Sequence, residues 1–231
     1  MSVRLAIVTP LGNEADSVTA LMREVAGRMR PDDRWFGVLD KVSRDDTRAL
    51  VAAHARRDRR FAEVWAPENR CVVDAYFAGY RAALASGARW ILEMDAGFSH
   101  PPEKIPDFVA AMEAGYEFAG GTRFAPGGGH DSPITRRVLS YGGTVMARVF
   151  LGSRMSDMTG GYECFARHAL EHVVARGVRS RANFFQTEIR HMMHAFRWTE
   201  VPFVYVNDQP KVGRSAVRES LRILFELARS R

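Results

Sequence analysis

Short apolar runs alternate with longer stretches of helical spacing along the first half of this chain. Leu5-Ala6-Ile7-Val8-Thr9-Pro10 predicts a first strand, stopped at Pro10 and followed by Leu11-Gly12-Asn13-Glu14. From Ser17 to Met29 the apolar positions Val18, Leu21, Met22, Val25 and Met29 fall on one helix face. Trp35-Phe36-Gly37-Val38-Leu39 predicts a second strand that ends at Asp40, and Asp45-Asp46-Thr47 opens a helix to about His54. Phe61 to Trp65 reads as a third strand. Val72 to Ala85 reads as a third helix, closed by Ser86-Gly87. The run Trp90-Ile91-Leu92-Glu93-Met94-Asp95 is a fourth strand that turns polar as it leaves the sheet. Strand and helix alternating through short connections imply βαβ units and a parallel sheet, an α/β fold.

The second half is less regular. A helix is expected around Pro106 to Ala114, then a strand over Phe118 to Phe124. The loop Ala125 to Pro133, with three consecutive glycines, has the make-up of a lid. A helix follows from Arg136-Arg137 to Leu151, and Ser156 to Tyr162 reads as a polar, glycine-bearing turn. Phe184 to Phe196 predicts another helix, in which His191 and His194 are ordinary helix residues. Thr199 to Val206 predicts a late strand, at an edge because of Pro202. From Ser215 the residues Val217, Leu221, Leu224, Phe225 and Ala228 recur at helical spacing, flanked by Arg218, Arg222, Arg229 and Arg231. This amphipathic segment fits either a terminal helix docked on the domain or one lying on an anionic membrane.

Composition narrows the classes. The chain has 231 residues, 46% of them hydrophobic, enough for a core without disulfides. Cys71 and Cys164 are the only cysteines, far apart, so neither a disulfide framework nor a cysteine metal motif is expected, and a reducing, cytoplasmic setting fits. No signal-peptide pattern and no transmembrane run is expected. The net charge of +6 favours an anionic partner. A nucleic-acid binder would rest on that charge alone, since no stacking array or recognition motif accompanies it.

Candidate chemistry gathers at the strand ends. Asn13 with Glu14, Asp40, and Glu93 with Asp95 all follow predicted strands, and the carboxyl edge of a parallel sheet is where such folds bind ligands. Glu93 and Asp95, two apart, share one strand face. There is no GxGxxG and no GxxxxGK[ST], so a Rossmann dinucleotide site and a P-loop are both unsupported. Arg123, Arg136 and Arg137 are suited to phosphate oxygens.

Several motifs together resemble glycosyltransferase family 2, in its polyprenol (dolichol) phosphate mannose synthase-like branch. They are Val8-Thr9-Pro10-Leu11-Gly12-Asn13-Glu14; Asp40 with Ser43, Asp45 and Thr47; Met94-Asp95-Ala96-Gly97-Phe98-Ser99-His100-Pro101-Pro102-Glu103; Gly121-Thr122-Arg123-Phe124 with Pro126-Gly127-Gly128-Gly129; Asp157 to Tyr162; Phe185-Gln186-Thr187-Glu188; and Glu200-Val201-Pro202. The resemblance implies a GT-A fold: a mostly parallel central sheet in an α/β/α sandwich, one domain over residues 1–231. Its nucleotide-sugar half would be about 1–124 and its acceptor half about 125–231. It implies an inverting transfer from a nucleotide-diphosphate sugar, GDP- or UDP-linked.

Site residues follow from the same resemblance. Pro10, Asn13, Glu14, Asp40, Asp95, Arg123 and Gln186 are expected to bind the donor, Asp95 to hold Mg2+ or Mn2+, and Asp95, Arg123, Arg137 and Glu188 to serve the reaction. Gly97 stands where the family's DxD motif has its second aspartate, and Lys41-Val42 where Asp-Gly is usual, so metal dependence is expected to be weak. Gly213-Arg214-Ser215-Ala216 lacks the family's lysine. A phosphate acceptor is already ionised and needs no general base, and the chain lacks the Glu-Asp pair that many hydroxyl-directed relatives use, which favours a polyprenyl phosphate; peripheral contact with the cytoplasmic membrane face is expected with it. The alternatives are a small-molecule hydroxyl acceptor, with Glu188 or Asp157 as base, and a non-catalytic nucleotide-sugar-binding module.

Overall fold

The structure, a computed structural model, describes residues 3–206 and 213–229; Arg231, expected on the flank of the last helix, lies outside them. In chain order the elements are β1 (Leu5–Leu11), α1 (Val18–Ala26), β2 (Arg34–Leu39), α2 (Thr47–Ala55), β3 (Phe61–Trp65), α3 (Val72–Ala85), β4 (Trp90–Glu93), α4 (Ile105–Glu113), β5 (Phe118–Thr122), β6 (Gly129–Asp131) and α5 (Ile134–Leu151). They continue with β7 (Glu163–Ala166), α6 (Arg167–Arg176), α7 (Phe185–Met192), β8 (Trp198–Pro202), β9 (Val204–Val206) and α8 (Arg214–Arg229).

Seven strands form one sheet in the order β3-β2-β1-β4-β7-β5-β8. The first four in sequence are parallel, and β5 with β8 makes a second parallel pair. Strand β7 runs antiparallel between β4 and β5 and joins the two sets. Neither β7 nor α6 stands out in the sequence pattern. β7 has only four residues and begins on a glutamate, so no apolar run marks it.

The period-two alternation of β1 places its side chains in two cores. Ala6 and Val8 pack with Tyr76, Tyr80, Ile91, Phe165 and Leu170 on one face. Leu5 and Ile7 pack with Leu21, Trp35, Leu92, Phe108 and Cys164 on the other. Helices α3, α6 and α7 therefore cover one side of the sheet and α1, α2 and α4 the other, the expected α/β/α sandwich. Helix α3 lies low on β1 because residue 79 is glycine: a Cβ there would collide with Val8.

Pro10 sits inside a central strand without harm. Pairing of β1 with β4 ends at Val8–Glu93, so the donor that proline lacks has no partner strand to face. The expected late strand is split at Phe203, whose ring is buried. Its first part, β8, is the sheet edge, and its second, β9, pairs with β6 from the glycine-rich loop. Among the described residues no helix is long and apolar enough to cross a membrane.

Candidate active site

The parallel strands bring the ends of β1, β2 and β4 to one edge of the sheet. There the residues expected to meet the nucleoside interlock. Asn13, with a left-handed φ of 59°, donates through Nδ2 to the Val42 carbonyl at 3.2 Å and accepts from the Arg44 N–H at 2.9 Å. The Glu14 N–H donates to Thr47 Oγ1 at 2.8 Å, and the Ala15 N–H to Asp45 Oδ2 at 3.0 Å. Asp40 Oδ1 accepts from the Val42 N–H at 2.8 Å. The turns after β1 and β2 thus form a single braced rim. It does not line the large cavity beyond β4.

Beyond β4 the chain opens onto a cavity of about 450 Å³. Asp95, His100, Arg123, Arg136, Gln186 and Tyr205 line its polar part, and Val138, Leu139, Val217, Leu221 and Leu224 its apolar part. Glu93 and Asp95 do face the same helix, with different fates. Glu93 is fully buried and accepts from the Tyr80 hydroxyl and from Gln186 Nε2, the latter at 2.6 Å. Asp95 is half-buried and accepts from the Tyr76 hydroxyl through Oδ1. Its backbone N–H donates to His100 Nδ1 at 2.9 Å. Burial holds the His100 imidazole below its ordinary value against the pull of Asp95, so it is neutral and carries its proton on Nε2.

Arg123 is locked rather than poised. Its Nε and Nη2 donate to both oxygens of Asp157 at 2.7 and 2.8 Å, and Nη2 also reaches Thr159 Oγ1 at 2.7 Å. Burial alone would raise the Asp157 carboxyl. The Arg123 charge and its hydrogen bonds outweigh that and hold it well below the usual carboxylate range. An acid held there is a poor proton acceptor, so Asp157 is not suited to the base role considered for it. Arg136, at the start of α5, lines the cavity with Nη2 at 3.1 Å from Tyr205 Oη. Arg137, one residue on, is exposed and points elsewhere, as helical geometry requires.

Glu188 also departs from its expected place. Its oxygens accept from the backbone N–H groups of Arg179, at 2.9 and 3.2 Å, and of Ser180, at 2.8 Å. It caps a loop away from the cavity. Its neighbour Gln186 does face the cavity, and its amide nitrogen donates to Glu93.

Beneath the cavity floor lies a second charged group that sequence reading did not find. Glu163 pairs across the ladder with Glu93, and Arg190, fully buried, donates to Glu163 Oε1 at 2.6 Å. Burial pushes the Glu163 carboxyl up to about 7, with Arg190 offsetting only part of it. An acid that binds its proton more tightly folded than unfolded loses stability as pH rises from its ordinary 4.5 towards 7, and no more above. Thermal denaturation between pH 5 and 8 is therefore expected to show a falling Tm in the native chain and a shallower fall in Glu163→Gln.

A profile of glycosyl transferase family 2 matches residues 6–174. The chain belongs to that family. It is 32% identical over 225 residues to a polyprenol monophosphomannose synthase of Mycolicibacterium smegmatis, covering 94% of this chain and 84% of the relative. It is 28% identical to an undecaprenyl-phosphate mannosyltransferase of Micrococcus luteus, covering 88% of this chain and 84% of the relative. Among solved structures, a Mycobacterium tuberculosis glucosyl-3-phosphoglycerate synthase with Mn2+, UDP-glucose and phosphoglyceric acid aligns at TM-score 0.74. The identity there is 13%, over 97% of this chain and 79% of that one. The fold of this glycosyltransferase is accordingly GT-A.

Solved structures of glucosyl-3-phosphoglycerate synthase include complexes with Mn2+ and with Mg2+. Such hard cations take several oxygen ligands. In this glycosyltransferase Asp95 brings one carboxylate to the cavity. Gly97 has no side chain, and the nearest atom to a Cβ built there is Glu14 Oε2 at 3.7 Å. Among the described residues no three His, Cys, Asp or Glu side chains converge as a metal cage. The residues suit an ion that arrives with a pyrophosphate and draws most of its ligands from it.

Proposed function

We propose that this glycosyltransferase moves a sugar from a nucleotide-diphosphate sugar, GDP- or UDP-linked, to a polyprenyl phosphate, with inversion. The observation that carries the reading is the two-ended cavity. Asp95 and Arg136 stand at its polar end, and Val138, Leu139, Val217, Leu221 and Leu224 line the way out between α5 and α8. A phosphate headgroup with an apolar tail has that polarity. The relatives named for polyprenol and undecaprenyl phosphate support it. Among the described residues Asp95 is the one acid in the cavity lining, which supports it too: a phosphate acceptor needs no general base.

Donor binding would fall to Pro10, Asn13, Glu14 and Asp40 on the rim, with Asp95 on the diphosphate side. A divalent ion held there by Asp95 would neutralise charge on the leaving nucleotide diphosphate. Arg136, one turn into the cavity, is better placed for the acceptor phosphate than Arg137. Arg123 would act chiefly by fixing the Asp157 loop.

Membrane contact belongs to the same reading. Ile134, Val138, Tyr141, Val145 and Val149 form one exposed stripe on α5, with Ile134 at 66% and Val149 at 72% exposure. On α8, Leu221 and Phe225 are exposed beside the cavity mouth, with Arg218 and Arg222 near them in sequence. An apolar stripe with arginine flanks suits an anionic bilayer surface.

The test is incubation of the full chain with radiolabelled GDP-mannose or UDP-glucose and anionic vesicles containing polyprenyl phosphate. Label is expected in the lipid phase with one donor, reduced by chelator. Label appearing only on an added water-soluble acceptor would replace this reading with the hydroxyl-directed one. Absence of nucleotide binding and transfer altogether would sink both.

A further inference from the structure

Two tyrosines on α3 match two carboxylates at the end of β4. Tyr76 and Tyr80 are four residues apart, about 6 Å along a helix. Glu93 and Asp95 are two apart, about 6.5 Å along an extended chain. The helix runs back against the strand, so Tyr80 donates to Glu93 and Tyr76 to Asp95. Gly79 between them lets α3 settle onto β1 closely enough for both to reach. Tyr76 is only 2% exposed, with its ring against Phe185 and Tyr80 at centroid distances of 5.4 and 6.0 Å. A hydroxyl on so fixed a ring has little freedom of direction.

The other side of Asp95 is fixed too. Left-handed backbone at Gly97 and Phe98, φ 66° and 62°, folds the loop back so that His100 Nδ1 accepts the Asp95 N–H. The imidazole is stacked on Tyr162 at 4.7 Å, and Tyr162 Oη donates to the Pro101 carbonyl at 3.0 Å. Its Nε2 stands 3.7 Å from Asp95 Oδ2. His100 thus holds the Asp95 backbone and faces Oδ2, while Tyr76 holds Oδ1.

We propose that Tyr76 is a positioning residue for the donor-side metal: its hydroxyl takes Oδ1 and so aims Oδ2 of Asp95 at the ion that accompanies a nucleotide diphosphate. With glycine at position 97, the strand end offers one carboxylate, and the orientation of that one decides the protein's share of the grip. The inference rests on the transferase reading above and assigns a role to a residue on α3, outside the strand-end loop that carries Asp95.

The test compares Tyr76→Phe with Tyr80→Phe in the full chain, each of which removes one hydroxyl and keeps the ring. Bound Mn2+ is measured by electron paramagnetic resonance with GDP or UDP present, and Tm is recorded for each protein. Tyr76→Phe is expected to weaken Mn2+ binding about tenfold, the size of one hydrogen bond to a charged group, with a small change in Tm. Tyr80→Phe, which strips a partner from buried Glu93, is expected to lower Tm and leave Mn2+ affinity as in the native chain. Unchanged Mn2+ affinity in Tyr76→Phe, or equal losses in both variants, overturns the proposal. A native chain that transfers sugar fully in chelator overturns it as well and leaves the transferase reading intact. A native chain that binds neither nucleotide removes both.

Discussion

Asp95→Asn is expected to lower kcat by about 10²- to 10³-fold, the usual cost of removing one preorganised electrostatic partner of a developing charge. The substitution keeps size and shape, and the Asp95 side chain is 44% exposed, so the fold has little stake in its charge. Tyr76 can still donate to an asparagine carbonyl, and the Asp95 N–H to His100 involves only backbone on the aspartate side. What the variant lacks is a negative oxygen on the cavity. Steady-state transfer from GDP-mannose, with Tm measured alongside, checks it: kcat falls while Tm holds within a degree or two. Activity near that of the native chain would mean that the leaving diphosphate is stabilised without a negative oxygen at position 95.

Much of the fold was legible because the two cores impose the patterns the sequence displays. Leu5, Ala6, Ile7 and Val8 are all buried, as a strand covered on both faces must be. Val18, Leu21, Met22 and Val25 are the buried face of α1, in helical spacing. What escaped was carried by charge. Strand β7 starts with Glu163, and Arg190, at zero exposure, neutralises it from α7. Periodicity reads a buried ion pair as two surface residues, because only the third dimension brings the partners together.

The site was legible to a similar depth. Motif order placed Asp95, Arg123 and Gln186 around one cavity, and the rim residues Asn13, Glu14 and Asp40 on one sheet edge. It could not say which of two adjacent arginines a helix turns inward; a step of about 100° put Arg136 on the cavity and Arg137 in solvent. Nor could it see that Glu188 caps the backbone at Arg179 and Ser180. Tyr76 was hidden differently. An aromatic residue at helical spacing reads as core, and it is core; only its hydroxyl belongs to the site.

Arg190→Met is expected to destabilise the chain by about 3–5 kcal/mol, the cost of removing one partner of a buried pair: Glu163, at about 7 even beside Arg190, takes up a proton, and three carbonyls lose their donor. For a chain of this size that lowers Tm on the order of 10 °C. The guanidinium donates to Glu163 and to the carbonyls of Gly160, Asp157 and Gly121. It therefore neutralises the acid on β7 and also ties the 157–160 loop to β5. That loop presents Asp157 to Arg123, so its loosening is expected to reduce transfer at temperatures where the variant is still folded. The paired variant Glu163→Gln/Arg190→Met separates the two parts in thermal melts and transfer assays. Removing the acid restores the share of Tm owed to keeping it protonated in the fold at neutral pH. The carbonyls remain without their donor, so the loss of activity persists. Full recovery of both would mean that Arg190 serves Glu163 alone and that the loop holds itself.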